Sequence, residues 1–348
     1  MKFVEIKNFT KDLISWQREQ GRHHLPWQKN RTAYRVWLSE IMLQQTQVST
    51  VIDRYQLFLK RFPNVRALAE VSVDDVLAEW SGMGYYTRAR NLHKCAQVVV
   101  NEYDGNFPSD PELLERLPGI GKSTAAAIAV FSYGVRAAIL DGNVKRVLAR
   151  LWGVDADLSK SAAVKSLWAH AEQLLPSTPD DLVSYTQGLM DFGATHCTQY
   201  QPVCMSPDKG ACLFRNRCQA KLNNQVELIP LKIKKINVQQ VHMDWWIFIY
   251  KGKILLEKRP ETGIWAGLWS FPEQNLSHKN NAEKLNVVKH VLTHRHLNIQ
   301  PHKVVLSAQF KKMNANQEWF NLRDALKLGL PKPVSSFLKS LDLIHGDV

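Results

Sequence analysis

Leu117-Pro118-Gly119-Ile120-Gly121-Lys122-Ser123-Thr124 is the stretch from which the fold can be read. Ahead of it, Ser109-Asp110-Pro111 supplies cap residues and a proline for the first turn of a helix. Behind it runs an alanine-rich segment, Ala125-Ala126-Ala127-Ile128-Ala129, that reads as a second helix. Two glycines two apart, Gly119 and Gly121, let the backbone turn tightly and come close to a ligand. The free N–H groups at the start of the second helix, around Lys122 and Ser123, then point outward and suit an anion. A Gly-x-Gly alone would be an ordinary corner between helices. With both flanking helices and a basic chain, the pattern is that of a helical hairpin gripping phosphate. Lys and Arg outnumber Asp and Glu by 45 to 32, a net charge of +13. Such an excess favours a polyanionic partner, because each neutralised phosphate releases counterions.

Outward from the hairpin, the pattern is helical from the N-terminus to about 221. Val48, Val51, Ile52, Tyr55, Phe58, Leu59 and Phe62 recur at three- and four-residue spacing. Helices are expected over 7–20, 33–45, 48–61, 73–80, 86–102, 111–116, 122–131, 143–152, 161–174 and 180–194. The polar, basic stretch LNNQVELIPLKIKKI, Leu222–Ile236, reads as a linker. Beyond it the period moves toward alternation. Trp245–Tyr250 and Lys253–Lys258 flank Lys251-Gly252, a hairpin turn. Further strands are expected near 269–271, 298–305 and 318–320, and helices over 282–288 and 334–342. With 348 residues, 45% hydrophobic, two or three domains are expected. No apolar run reaches the roughly eighteen residues of a membrane span, and the N-terminus reads as a helix start rather than a signal peptide. The expected setting is cytoplasmic and nucleoid-associated, with no membrane partner and a monomeric chain.

Two acids stand out. Glu40 shares a helix face with Val36, Trp37 and Leu43. An apolar face disfavours the carboxylate, so its pKa should rise, as a general acid at neutral pH requires. By itself Glu40 reads equally as an acid at the edge of an amphipathic stripe. Asp141 follows the apolar run Ala137–Leu140 and precedes Gly142-Asn143-Val144-Lys145. It reads as an N-cap, or as a carboxylate kept ionised by the helix dipole. One protonated and one ionised carboxylate is the division of labour that cleaves a glycosidic bond.

Of five cysteines, Cys95 sits on an apolar helix face as a core residue, while Cys197, Cys204, Cys212 and Cys218 fall within 22 residues. In a cytosolic protein such clustering favours a metal site over disulfides.

WLSEIMLQQTQV, GMGYYTRARNL, LPGIGKSTAAAI, LDGNVKRVLAR and the cysteine cluster together resemble the endonuclease III superfamily, and in detail the MutY family. The resemblance covers about 20–220. It implies a multidomain chain: an all-α helix-hairpin-helix glycosylase core with an iron–sulfur cluster loop, then a mixed α/β Nudix-like domain. The all-α region is 1–221, with a six-helix module over about 25–136 and a second module from 1–24 plus 137–221. A linker, 222–237, leads to a lesion-recognition domain, 238–348. The implied activity is excision of adenine mispaired with 8-oxoguanine or guanine in double-stranded DNA. Glu40 matches the general acid that protonates adenine N7, Asp141 the carboxylate that stabilises the oxocarbenium ion, and Asn143 a helper near the same sugar. Trp27, Gln28 and Gln187 match positions lining the adenine pocket. Gln45 and Tyr85 match residues that wedge into the duplex; without the resemblance Tyr85 reads as readily as a core tyrosine.

Ser123 separates activities within the superfamily. Relatives that also cut the strand carry lysine there as a Schiff-base nucleophile, and a serine cannot form an imine. Lys122 projects about 100° away on a helix. WAGLWSFP, Trp265–Pro272, resembles a Nudix-like fold, but Glu273 and Glu283 are not the clustered glutamates a magnesium-dependent hydrolase needs. The Phe-Ser-His that such domains present to the lesion is matched here by Leu292-Thr293-His294, which keeps a hydroxyl and loses the aromatic ring. The cysteine spacing also departs from the family's C-x6-C-x2-C-x5-C. The outer gaps are kept, and the middle one, Met205–Ala211, is longer by five residues. The four thiolates suit a [4Fe–4S] cluster, with zinc as the alternative. The rival functions are an endonuclease III-like glycosylase/lyase for oxidised pyrimidines, a non-catalytic DNA-binding or redox protein, and a Nudix hydrolase.

Overall fold

The structure, a computed structural model, describes residues 8–206, 210–231, 238–276, 282–310 and 313–345. Parts of the expected linker (232–237) and of the lengthened cysteine loop (207–209) lie outside these. The helices in chain order are α1 (Phe9–Gln20), α2 (Ala33–Leu43), α3 (Val48–Arg61), α4 (Val65–Glu70), α5 (Val73–Glu79) and α6 (Thr87–Tyr103). Next come α7 (Pro111–Glu115), α8 (Lys122–Tyr133), α9 (Gly142–Trp152), α10 (Ser161–Gln173), α11 (Pro179–Thr195) and α12 (Gln219–Leu222). Their starts follow the cap chemistry of the sequence. Thr32, Asn64, Ser72, Asp110, Asp141 and Thr178 each accept a backbone N–H from the first turn of their helix. The short α4 follows Pro63-Asn64 and falls between the expected helices. Among the described residues no helix is long and apolar enough to cross a membrane.

The chain forms two compact units, 1–56 with 98–234, and 57–97 with 235–348. In the first, a core of Leu13, Ala127, Val144, Leu148, Leu167, Leu189 and Phe192 joins α1, α8, α9, α10 and α11. Two of its glycines are required, one by backbone conformation and one by close approach. Gly119 has φ +78°, the left-handed turn between α7 and α8. A Cβ on Gly193 would stand 2.7 Å from that of Asn143, so only glycine lets α11 come this near α9.

The second unit holds β1 (Gln239–Tyr250), β2 (Lys253–Lys258), β3 (Trp269–Ser270), β4 (Glu283–Lys284), β5 (Val288–Leu292), β6 (Arg295–Val305) and β7 (Gln317–Asn321), then α13 (Leu322–Ala325) and α14 (Lys332–His345). The sheet order is β3-β2-β1-β6-β4, with β5 paired to β6 and β7 to β2. Strands β1 and β6 run parallel, Gln239 opposite Arg295 through Ile249 opposite Val305. The Lys251-Gly252 turn joins β1 to β2, both residues at positive φ.

Two expectations are corrected here. Residues 282–288, good helix formers by composition, are extended: Glu283 pairs with Lys303 and Val288 with Ile299. Pairing to a neighbouring strand outweighs an intrinsic preference of a few tenths of a kcal/mol per residue. The expected boundary near 222–237 also accounts for only part of the division, because 57–97 packs into the same unit as the sheet. Lys258 Nζ is 2.7 Å from Asp74 Oδ2, Arg90 Nη1 donates to Ala266 O at 2.6 Å, and Tyr86 Oη donates to Leu330 O at 3.1 Å. Those contacts join positions far apart in the chain, which no local pattern announces.

Candidate active site

A cavity of about 180 Å³ opens in the first unit, lined by Trp27, Gln28, Glu40, Asp141, Asn143 and Gln187, together with Arg22 and Arg31 among others. Its walls come from the turn before α2, from α2 itself, from the start of α9 and from α11. The six residues that the sequence singles out for acid catalysis and base binding are thus brought to one place.

Glu40 is enclosed by its apolar helix face. Burial pushes its pKa up to about 8, the nearby Asp141 adds to the rise, and Arg31 pulls the other way. Asp141 sits at the N-cap of α9 and accepts the Val144 N–H at 2.8 Å. Burial pushes its pKa above the ordinary aspartate range, against the expectation that the dipole alone keeps it low. The Val144 and Asn143 N–H groups, then Arg146 and Lys145, work in the opposite direction. Asp141 therefore has four stabilisers for its anion where Glu40 has Arg31.

Trp27 is buried with its ring edge-on to Tyr55 at 5.8 Å. The Gln28 Nε2 donor is buried and has no hydrogen-bond partner among the described residues. Such a group costs about 1–3 kcal/mol unless something supplies an acceptor. Gln187 is held on both ends of its amide, donating from Nε2 to Asp191 Oδ1 at 3.1 Å and accepting from Arg31 Nη2 at 2.9 Å. Asn143 accepts from Arg146 Nη2 at 2.8 Å, and the same guanidinium donates to Gly193 O and Cys197 O. Sequence reasoning missed Arg22, Arg31, Arg146 and Asp191. Only Asp191 left a local signal, four residues after Gln187 on the same helix face.

The hairpin has the expected geometry. Gly121 caps α8 without a side chain, and open space lies where its Cβ would be. Lys122 leans over the Trp168 ring at 4.2 Å and is 3.6 Å from Glu172. Ser123 Oγ accepts the Leu140 N–H at 3.0 Å, so its hydroxyl fixes the segment that leads into Asp141. Ser123 and Gln45 also border a cleft beside Glu40 and Asp141. Gln45 is exposed with φ +55°.

Tyr85, Thr293 and His294 lie in the second unit and line a cleft of about 830 Å³ with Arg90, Trp265 and His290. Tyr85 is 45% exposed, not a core tyrosine, and its hydroxyl shares a 2.7 Å hydrogen bond with Thr293 Oγ1. Glu273 pairs with Arg259 and Glu283 with Lys303, so neither is poised for a magnesium ion.

Cys197, Cys204, Cys212 and Cys218 line one small apolar pocket with Val147, Leu151, Phe192, Phe214 and Val226. Arg150, itself buried, reaches Cys197 Sγ at 3.5 Å through Nη1. Among the described residues no group of three or more His, Cys, Asp or Glu side chains closes on a point for a single ion.

Residues 38–173 match the HhH-GPD superfamily of base excision DNA repair proteins, and residues 244–340 match the NUDIX domain. An adenine DNA glycosylase of Buchnera aphidicola subsp. Baizongia pistaciae is 38% identical over 347 residues, covering 96% of each chain. The adenine DNA glycosylase of Rattus norvegicus is 33% identical over 375 residues, covering 88% of this chain and 72% of the rat protein. A thermostable thymine-DNA glycosylase structure superposes with a TM-score of 0.55 at 27% identity, covering 62% of this chain and 96% of that one. With its helical hairpin, its two half-buried carboxylates in one cavity and this likeness over nearly the whole length, the chain belongs to the adenine DNA glycosylase family.

Proposed function

We propose that this glycosylase hydrolyses the N-glycosidic bond of adenine paired with 8-oxoguanine or guanine in duplex DNA, and leaves the strand uncut. The observation that carries the reading is the pairing of Glu40, with its pKa near 8, and the donor-rich Asp141 in one base-sized cavity. The bond is out of reach inside a stacked duplex, so the adenine nucleotide turns out into the cavity. Trp27 offers it an apolar wall, and the unpartnered Gln28 Nε2 gains an acceptor from the base. Glu40, protonated at neutral pH, donates to adenine N7 as the C1′–N9 bond breaks. Asp141 faces the cationic sugar that forms, and an anion fixed in place costs no reorganisation at that moment. Water adds at C1′ and gives its proton to the Glu40 carboxylate left by the first step, yielding free adenine, an abasic site and the acid restored. Ser123, already engaged with Leu140, offers no amine for an imine.

The hairpin formed by α7 and α8 presents backbone N–H groups to a phosphate. Tyr85 and Thr293 stand together as the contact for the base opposite adenine. The four cysteines fit a [4Fe–4S] cluster. They share one apolar pocket with Phe192 and Phe214, and the Arg150 guanidinium stands 3.5 Å from Cys197 Sγ. The cluster would tie the end of α11 to the start of α12 through the loop between them, and would supply no chemistry on the base. About four irons per chain are expected, with the broad visible absorption of such clusters; one zinc and no iron would reject this part alone.

Single-turnover assays on duplexes with 8-oxoguanine:adenine, guanine:adenine or an oxidised thymine, with and without alkali, test the whole reading. Adenine release needing alkali for strand scission is expected. Oxidised-thymine release with spontaneous scission would overturn it.

A further inference from the structure

We propose that Arg31 and Asp191 lock the side-chain amide of Gln187 in one orientation, and that this lock makes the pocket read adenine against bases bearing a carbonyl at position 6. The inference rests on the adenine-excision reading above and deepens it.

A primary amide has nearly the same shape when its oxygen and nitrogen exchange places, and its terminal torsion is broad and roughly two-fold. A glutamine free to turn can therefore satisfy either of two opposite hydrogen-bonding patterns. Gln187 is not free. Its oxygen accepts from Arg31 Nη2 at 2.9 Å, and its nitrogen donates to Asp191 Oδ1 at 3.1 Å. A guanidinium has donors alone and an ionised carboxylate acceptors alone, so the assignment admits no exchange. Turning the amide over would set oxygen against the carboxylate and N–H against the guanidinium, losing two charge-assisted bonds at once.

The two partners are themselves held. Asp191 is fully buried and accepts from Arg22 N at 3.0 Å through Oδ2 and from Arg22 Nε at 2.8 Å through Oδ1. The Arg31 guanidinium lies over the Phe131 ring, 4.5 Å from its centroid. Gln187 is 6% exposed, so water does not compete for its amide. Two bonds leave the amide with one N–H and one lone pair, and Gln187, Arg31 and Glu40 line the same cavity.

Adenine presents an amino donor at position 6 beside a ring acceptor. Guanine and hypoxanthine present a carbonyl there beside an N1–H, where adenine has its N1 acceptor, so the pattern on that edge is reversed. A turning glutamine would serve both. The locked one serves a single pattern, and in a pocket that excises adenine that pattern is adenine's. Arg31 and Asp191 are thus positioning residues: they need not touch the base to set which base fits.

Hypoxanthine is the probe, because it carries the 6-carbonyl without guanine's extra amino group. Single-turnover excision from duplexes with 8-oxoguanine opposite adenine or hypoxanthine is measured for the full-length wild type, Arg31→Met, Arg31→Lys, Gln187→Leu and Arg31→Met/Gln187→Leu. The rate ratio, adenine over hypoxanthine, is the readout, since loss of folded enzyme cancels in it. Wild type should favour adenine. Arg31→Met should shrink the ratio by about tenfold, the scale of a good two-bond base contact. Arg31→Lys should restore part of it, and in the Gln187→Leu background Arg31→Met should change it no further. Equal slowing of both bases by Arg31→Met, with the ratio intact, would overturn the lock and leave adenine excision standing. A wild type that releases no adenine at all would instead overturn the reading on which the lock rests.

Discussion

At the scale of single residues, the chemistry turns on where one proton sits. Burial raises Glu40 to about 8, so the acid form prevails at neutral pH and is lost above that value. Adenine excision should accordingly hold up to about pH 8 and fall beyond it, as single-turnover rates across pH would show. Glu40→Gln should abolish excision while duplex binding persists, because phosphate contacts carry most of the affinity. The same burial has a stability consequence. A folded-state pKa above the unfolded one stabilises at low pH, and that contribution is lost as pH climbs from the ordinary carboxyl range through about 8. Glu40→Gln has no charge to bury, so its melting temperature should gain on wild type over this window. Asp141→Asn removes the other carboxylate. Asparagine caps a helix as well as aspartate does, so the helix start is kept; burial also raises the Asp141 pKa, so melting at neutral pH should hold or rise, while excision falls by about a hundredfold or more, the cost of losing a fixed counter-charge. Both acids are legible in the sequence because their settings are local: an apolar face for one, a helix start for the other. Arg31 is not, because what matters about it is a meeting across 156 residues with Gln187, whereas Asp191 stands four residues after Gln187 on the same helix.

Among elements, the α7–α8 hairpin and the α9–α11 contact position the site. Ser123 at the second position of α8 ties down Leu140, the residue before Asp141. Ser123→Lys should add strand cleavage, trapped by borohydride as a covalent complex, since lysine supplies the missing amine. It should also slow adenine release, because the Leu140 N–H loses its acceptor at a cost of about 1 kcal/mol or more. Equal trapping by wild type would sink the uncut-strand reading. Gly193→Ala tests the other contact. Its methyl would fall 2.7 Å from Asn143 Cβ and 3.2 Å from Asn143 backbone, which no rotamer change relieves. A loss of roughly 1–3 kcal/mol in stability is expected, together with slower excision as the start of α9 shifts. Denaturant midpoints and single-turnover rates check the two parts. The ten helices expected between 7 and 194 are readable to within a residue or two, since their caps and apolar periods lie within each segment, whereas the short α4, α12 and α13 are not. Residues 282–288 were not, because their fate depends on the edge that β6 offers.

For the whole molecule, the division into units bears on what each part can do alone. Residues 57–97 pack with 235–348, through Asp74 to Lys258 and Arg90 to Ala266. Removing 232–348 would strip those partners away. The shortened chain should still release adenine, since every wall of the base cavity lies outside the removed segment. It should melt at a lower temperature than the full chain and lose much of its preference for 8-oxoguanine over guanine, as Tyr85 loses Thr293. An unchanged preference would assign the second unit another task.

The sequence by itself determined the helical hairpin, the two carboxylates, the missing lysine at Ser123 and the change from helical to alternating period, because each is written within a turn or two of chain. Only the tertiary structure decided that 282–288 is extended, that 57–97 belongs with the sheet, that Tyr85 is exposed beside Thr293, and that Arg31 and Asp191 grip Gln187 from either side. Those features depend on which distant segments meet. A local pattern fixes which face of an element is apolar, whereas the partner of each polar atom is fixed when burial removes water and leaves a particular neighbour to replace it.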